Sequence, residues 1–331
     1  MKNKKYLIIC SLIFLTTAFS VTSCGGNSSK DSINNNKSEN NIENSSQISE
    51  SNNENKNTNL KENEDTENKN RNEETTSNNL IKSGGNTLET RIEVPDGYKR
   101  VEACDGSLGE FIRSYPLKDA DEPLLLYNGK KKFNQSSGAA VFSLPLEDMD
   151  LQQCADSVMR VYAEYFWENK EYNKIRFHFT NGFLCEYTKW RDGYRVKIDG
   201  NNVTWSKEAS YDDSYENFVS YLHMVFNYAG TLSMESYETK EISLDDMTIG
   251  DVIIKGGSPG HVVLVIDECK NSDGKSAYLL GQGYMPAQEF HVITNPLHGD
   301  DPWYYEDEIS FPLETAEYEF EDESMIRKLI Y

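Results

Sequence analysis

The stretch from Gly250 to His291 constrains the fold more than any other, because apolar, β-branched runs alternate there with glycine and proline breaks. Asp251–Ile254 is one such run, Gly256, Gly257, Pro259 and Gly260 interrupt it, and His261 opens a second run through Ile266. Asn271, Asp273 and Gly274 make the next turn, and Ala277–Leu280 reads as a third strand. Short strands joined by tight turns make an antiparallel meander, so the folded region should be organised around an antiparallel sheet. His261 enters its strand directly after a glycine, where the backbone is open and the ring can face a cleft and serve as a base.

The start of the chain reads as an export signal. Lys2, Lys4 and Lys5 precede the apolar run Tyr6–Phe19, which is too short to span a membrane as a mature helix, and Val21-Thr22-Ser23-Cys24-Gly25 follows. Small residues leading into a cysteine resemble the bacterial lipobox. The resemblance implies a signal peptide over residues 1–23, cleavage before Cys24, and lipid on its thiol; ordinary cleavage nearby is the alternative. From Gly26 to Asn86 the composition is Asn, Ser, Glu and Lys with almost no aromatic or branched apolar residue. Such a segment buries too little surface to offset its ordering entropy, so residues 24–86 read as a lipid-anchored, disordered tether and 87–331 as one folded domain.

The net charge of −22 argues against nucleic acid and against electrostatic docking on anionic lipid, since both need clustered Lys and Arg. The expected contact with the membrane is therefore the lipid on Cys24, on the extracytoplasmic face. Four of the six cysteines remain after Cys10 and Cys24: Cys104, Cys154, Cys185 and Cys269. Their wide, irregular spacing does not suggest a disulfide framework, and if Cys154 is a working thiol at most one bridge can form.

Within the folded region a short strand is expected around Thr90–Val94, a helix capped by Ser107 that ends before Pro116, and a strand pair formed by Leu124–Tyr127 and Ala139–Phe142 around Asn128-Gly129. The clearest helix runs from about Asp150 to Glu168, with Cys154, Val158, Val161, Tyr162 and Tyr165 on one stripe. Lys174–Thr180 and Phe183–Trp190 read as a hairpin through Asn181-Gly182, continued by Tyr194–Ile198. A second helix carries Phe218, Tyr221, Leu222, Val225 and Phe226, with Gly230 as its C-cap.

Cys154 falls in the first turn of its helix, where free N–H groups and the positive end of the dipole favour thiolate. An imidazole can take the thiol proton and a third polar group can fix the ring, which assigns Cys154, His261 and Gln282 in that order. Each also has a plain structural role open to it: Cys154 as a buried small side chain, His261 as a turn residue. Gln152 or Gln153, with the Cys154 N–H, could hold a developing oxyanion. His291, after Gln288, competes with Gln282 for the third position, although its alternation with Phe290 and Val292 fits an ordinary strand, and the run from Tyr284 to Gln288 either lines the cleft or forms a rigid turn. None of the five histidines has zinc-protease spacing and there is no phosphate loop or dinucleotide fingerprint, so no metal and no cofactor are expected.

These residues resemble known families. Gln153-Cys154 opening a helix, with Gly250-Asp251 and Gly260-His261-Val262 before a strand, is similar to the CHAP and NlpC groups of cell-wall amidases and peptidases. That resemblance implies an α+β, papain-like fold, a helix packed on an antiparallel sheet, and a cysteine hydrolase acting on envelope material such as peptidoglycan peptides. The chain departs from those groups in the long gap between Cys154 and His261, in Gln282 where Asn, Asp, Glu or His is usual, and in Ala155-Asp156 after the cysteine. The stretches Leu151–Tyr165, Phe226–Ser233, Gly250–Val265 and Tyr284–His291 resemble more closely a family of bacterial exported proteins known as domain of unknown function 4846, which implies no activity. A non-catalytic module that binds wall fragments or a protein partner, and a thiol enzyme acting on lipid esters, are the competing functions.

Overall fold

The computed structural model describes residues 79–331. The signal peptide, the Cys24 lipid site and the tether as far as residue 78 lie outside the described residues. Leu80 is buried and Ile81 bridges Ile92, so the ordered chain begins ahead of the expected boundary at Thr87.

The first elements are α1 (Leu88–Arg91), β1 (Tyr98–Arg100), α2 (Leu108–Ser114), β2 (Gly138–Val141) and α3 (Cys154–Glu168). Next come β3 (Arg176–His178), β4 (Leu184–Glu186), α4 (Tyr187–Arg191), β5 (Tyr194–Asp199), β6 (Asn202–Lys207), α5 (Tyr215–Tyr228) and α6 (Thr231–Ser233). The last part holds β7 (Thr239–Glu241), β8 (Val252–Lys255), β9 (His261–Asn271), β10 (Ser276–Gln282) and β11 (His291–Ile293). It closes with β12 (Tyr304–Tyr305), β13 (Leu313–Glu314), β14 (Glu319–Phe320) and β15 (Ile326–Leu329).

The fold is mixed α+β. Its main sheet runs in the order β2, β11, β10, β9, β8, β15, β7, with β1 also on β9 and β12 also on β10, and its ladders are antiparallel. The β8–β9–β10 meander is its centre, as the Gly250–His291 pattern predicts. Strand β9 explains why that stretch is so apolar: Val262, Leu264 and Ile266 join the cluster that includes Val158 of α3 and Leu222 of α5, whereas Val263 and Val265 join a second cluster with Tyr304, Leu313, Phe320 and Ile326. Period-two alternation here separates two buried faces rather than a core face from a wet one. Each such side chain contributes on the order of 1.5–3 kcal/mol. The far end of β9 is pinned by charge, since buried Asp267 receives Arg100 and Arg113, each at 2.7 Å, and so ties β1 and α2 to the sheet.

Several local expectations differ from the structure. The strand expected at Thr90–Val94 is reduced to a single bridge at Ile92, because Thr90 and Arg91 end helix α1, which Thr87 caps and in which the Thr90 side chain accepts the Thr87 N–H at 3.1 Å. Leu124–Tyr127 does not pair with Ala139–Phe142; Leu126 bridges Gln288, and β2 pairs with β11. The second half of the expected strand Phe183–Trp190 is helix α4, which buries Tyr187 and Trp190. The end of α5 is capped by Ala229, and Gly230 is extended, with φ 165°, rather than left-handed.

Candidate functional site

Helix α3 starts where the sequence places it. The Asp156 carboxylate accepts the Gln153 N–H at 3.1 Å, an N3-to-N-cap bond that fixes the first turn and leaves the following N–H groups free. Cys154 is the first helical residue. The turn sits against the end of β10 because Gly283 has no side chain: a Cβ there would lie 2.1 Å from Ser157 Oγ and 2.9 Å from the Gln153 carbonyl. With β10 ended, the Val262 N–H on β9 serves the Cys154 sulfur instead, together with the Ala155 and Cys154 N–H groups.

Strand β9 brings His261 to the same place. Gly260 is required immediately before it, since a Cβ would meet the Gly257 carbonyl at 2.4 Å, Thr231 Oγ1 at 2.5 Å and the Lys255 carbonyl at 2.8 Å. The ring packs against Tyr284, Tyr318 and Phe320, with centroid separations of 4.9, 5.0 and 6.1 Å. His261 Nε2 lies 2.8 Å from Gln282 Oε1.

The groups behind Gln282 decide the proton on that ring. Glu317, salt-bridged to Lys132, can only accept, so Gln282 Nε2 donates to Glu317 Oε2 at 2.9 Å. His291 agrees, because its Nδ1 lies 3.0 Å from the Glu289 carbonyl and must donate there. Its bare Nε2 is then turned to Gln282 Nε2 at 3.5 Å. The amide oxygen therefore faces His261, Nε2 of His261 carries the hydrogen, and Nδ1 is the free base; this assignment follows from the network.

Electrostatically the resting site is neutral. Burial, then the nearby Asp156 charge, push the Cys154 thiol up to about 11 against the pull of the three N–H groups. Burial lowers His261 to about 4, partly offset by the Gln282 hydrogen bond and reinforced by the Lys132 charge. Burial, with Lys132 behind it, takes His291 down to about 3. No hydrogen bond joins the Cys154 sulfur to the His261 ring, and catalytic contacts of this kind commonly close only around a bound substrate.

Cys154 and His261 line one cleft of about 630 Å³, with Gln153, Asp156, Tyr284 and Tyr318 among its walls. The structure thus brings Cys154, His261 and Gln282 into one locality, and Tyr284 with them. Gln153 is at the wall, its side-chain amide donating to Asp150 at 3.2 Å. Gln152 is turned away, its amide donating to the Pro145 carbonyl at 3.1 Å, and does not serve as an oxyanion donor. Gln288 is buried beside Leu126, and His291 stands behind Gln282 rather than in its place. Glu317 and Lys132 are not among the expected site residues; nothing in a loop glutamate lying 35 residues after Gln282, or in a lysine ahead of α3 that pairs with it, signals contact with the site. Cys154, Cys185 and Cys269 form no disulfide. Among the described residues no cluster of His, Cys, Asp and Glu could hold a metal ion, and no helix is long and apolar enough to cross a membrane.

An α+β domain with a thiol at a helix start and a glutamine-held histidine on the wall of the same cleft is the class that the fold and cleft define. The chain belongs to the family described as domain of unknown function 4846, which it matches over residues 88–327. No curated protein and no solved structure matches it.

Proposed function

We propose that the protein is an exported, lipid-anchored cysteine hydrolase with a papain-like arrangement of its site, acting on amide bonds of envelope material such as peptidoglycan peptides. The observation that carries this reading is the 2.8 Å contact between His261 Nε2 and Gln282 Oε1, which leaves Nδ1 free in the cleft that Cys154 also lines. Because both partners rest neutral, His261 Nδ1 takes the thiol proton as the sulfur attacks the carbonyl carbon. The Cys154 N–H, which serves the sulfur at rest, turns to the oxyanion once the sulfur is bonded to carbon. Imidazolium then gives its proton to the leaving amine, and water, deprotonated by the same nitrogen, releases the acid from the thioester. Throughout, Nε2–H stays on Gln282, whose amide is backed by the Glu317 carboxylate.

The neutral resting pair also suits a second reading, a module that binds wall peptides without cutting them. Digesting purified cell wall with wild type and Cys154→Ala separates the two. The hydrolase releases peptides, detected by mass spectrometry, and the variant releases none; equal, background release from both leaves the binding module, and release of fatty acid from envelope lipid instead identifies a lipid-ester enzyme.

A further inference from the structure

Asp156 is only 6 % exposed and lines the cleft, yet only one of its carboxylate oxygens is used: Oδ2 holds the Gln153 N–H and Oδ1 is buried without a partner. A buried acceptor with nothing to accept from is unusual in a folded protein and calls for a donor. A second carboxylate, Asp150, stands at the same wall, its Oδ1 fixed by the Ala287 N–H at 2.7 Å and by the Gln153 amide at 3.2 Å. Among the described residues lining the cleft there is no Lys or Arg. Lys255, near Tyr318 at the rim, is tied to Glu321 at 2.5 Å.

We propose that this wall is a subsite for a protonated primary amine, so that the substrate is a peptide carrying a free ammonium group close to the bond attacked; the part naming a substrate rests on the hydrolase reading. An ammonium offers three donors and a full charge, which suits the unpartnered Asp156 oxygen and the fixed Asp150 carboxylate. Anionic phospholipid head groups meet two carboxylates and no cation there. Burial holds the Asp156 carboxyl protonated at rest, up to about 8, and an ammonium seated beside it favours the ionised form, so the wall gains its charge as the amine binds.

The test is binding to full-length Cys154→Ala protein, followed by NMR titration with Ala-Ala-Ala-NH2, its N-acetylated form, and acetyl-Ala-Lys-Ala-NH2. At least one ammonium-bearing peptide should bind roughly tenfold or more tighter than the neutral one. Which of the two does so tells whether an α-amine or a side-chain amine is taken. The preference should vanish on adding Asp156→Asn and weaken on adding Asp150→Asn, an exposed position that can be changed without touching the core. Equal binding of charged and neutral peptides, no detectable binding of either ammonium peptide at millimolar concentration, or a preference that survives both substitutions overturns the proposal. These proteins lack the sulfur, so a chain that selects the amine but cuts no wall keeps the subsite and loses the hydrolase.

Discussion

Glu317 accepts from the Gln282 amide at 2.9 Å, and that contact settles which nitrogen of His261 is free, although Glu317 never touches the ring. Glu317→Gln removes the obligatory acceptor, so the Gln282 amide can turn over and His261 should divide between its two tautomers. The 15N shifts of the ring read this directly; a ring still protonated only on Nε2 would show that Glu317 does not set it. Acid stability reports on the same buried groups. His261, at about 4 in the folded state against 6.5, favours the native state above pH 6.5 and loses that contribution as pH falls toward 4. Asp156, raised by burial to about 8 from 3.8, acts in the opposite sense: its contribution is complete below 3.8 and is lost as pH rises through 8. Asp156→Asn removes that counterweight, so its melting temperature should fall more steeply between pH 7 and 5 than that of wild type. Parallel slopes would mean that Asp156 does not carry a raised value.

The start of α3 and the ends of β9 and β10 carry the site, and their approach depends on missing side chains. Gly283→Ala drives a methyl into the Gln153 carbonyl, which is backbone and cannot swing aside, so the variant should lose about 1–3 kcal/mol on thermal or urea unfolding. A loss below about 0.5 kcal/mol would show that the two elements part easily. Elements with strong period were legible in the sequence: the meander, the body of α3 from its stripe of Val158, Val161 and Tyr162, and the position of Cys154 in its first turn. Elements decided by distant partners were not. Phe183–Trp190 follows an Asn-Gly turn and reads as the return strand of a hairpin, yet Tyr187 and Trp190, three residues apart, are buried together beside α5 and that piece is a helix, and Leu126 finds Gln288 rather than the strand beyond its turn. The Cys154, His261 and Gln282 set was legible because each residue has a local marker, a helix start, a glycine step and a strand end. Glu317 lies in an irregular segment, and only the folded chain brings it beneath Gln282.

At the scale of the molecule, the proposed attachment is through lipid on Cys24 rather than through surface charge, which at −22 does not favour anionic lipid. Cys24→Ala should move the protein from the membrane fraction to the soluble exported fraction without altering its melting temperature; continued membrane association would remove the lipid anchor from the account. The folded domain, from Leu80 through α3 and the meander to Glu317 and Phe320, supplies a cleft whose back wall is the C-terminal segment, so the chemistry requires the whole domain. The most direct test of that chemistry is the rate at which iodoacetamide alkylates Cys154 at pH 7.5 in wild type and in His261→Ala. If His261 takes the thiol proton, the variant should react more slowly by roughly tenfold or more. Equal rates in the two proteins would contradict the pairing of Cys154 with His261.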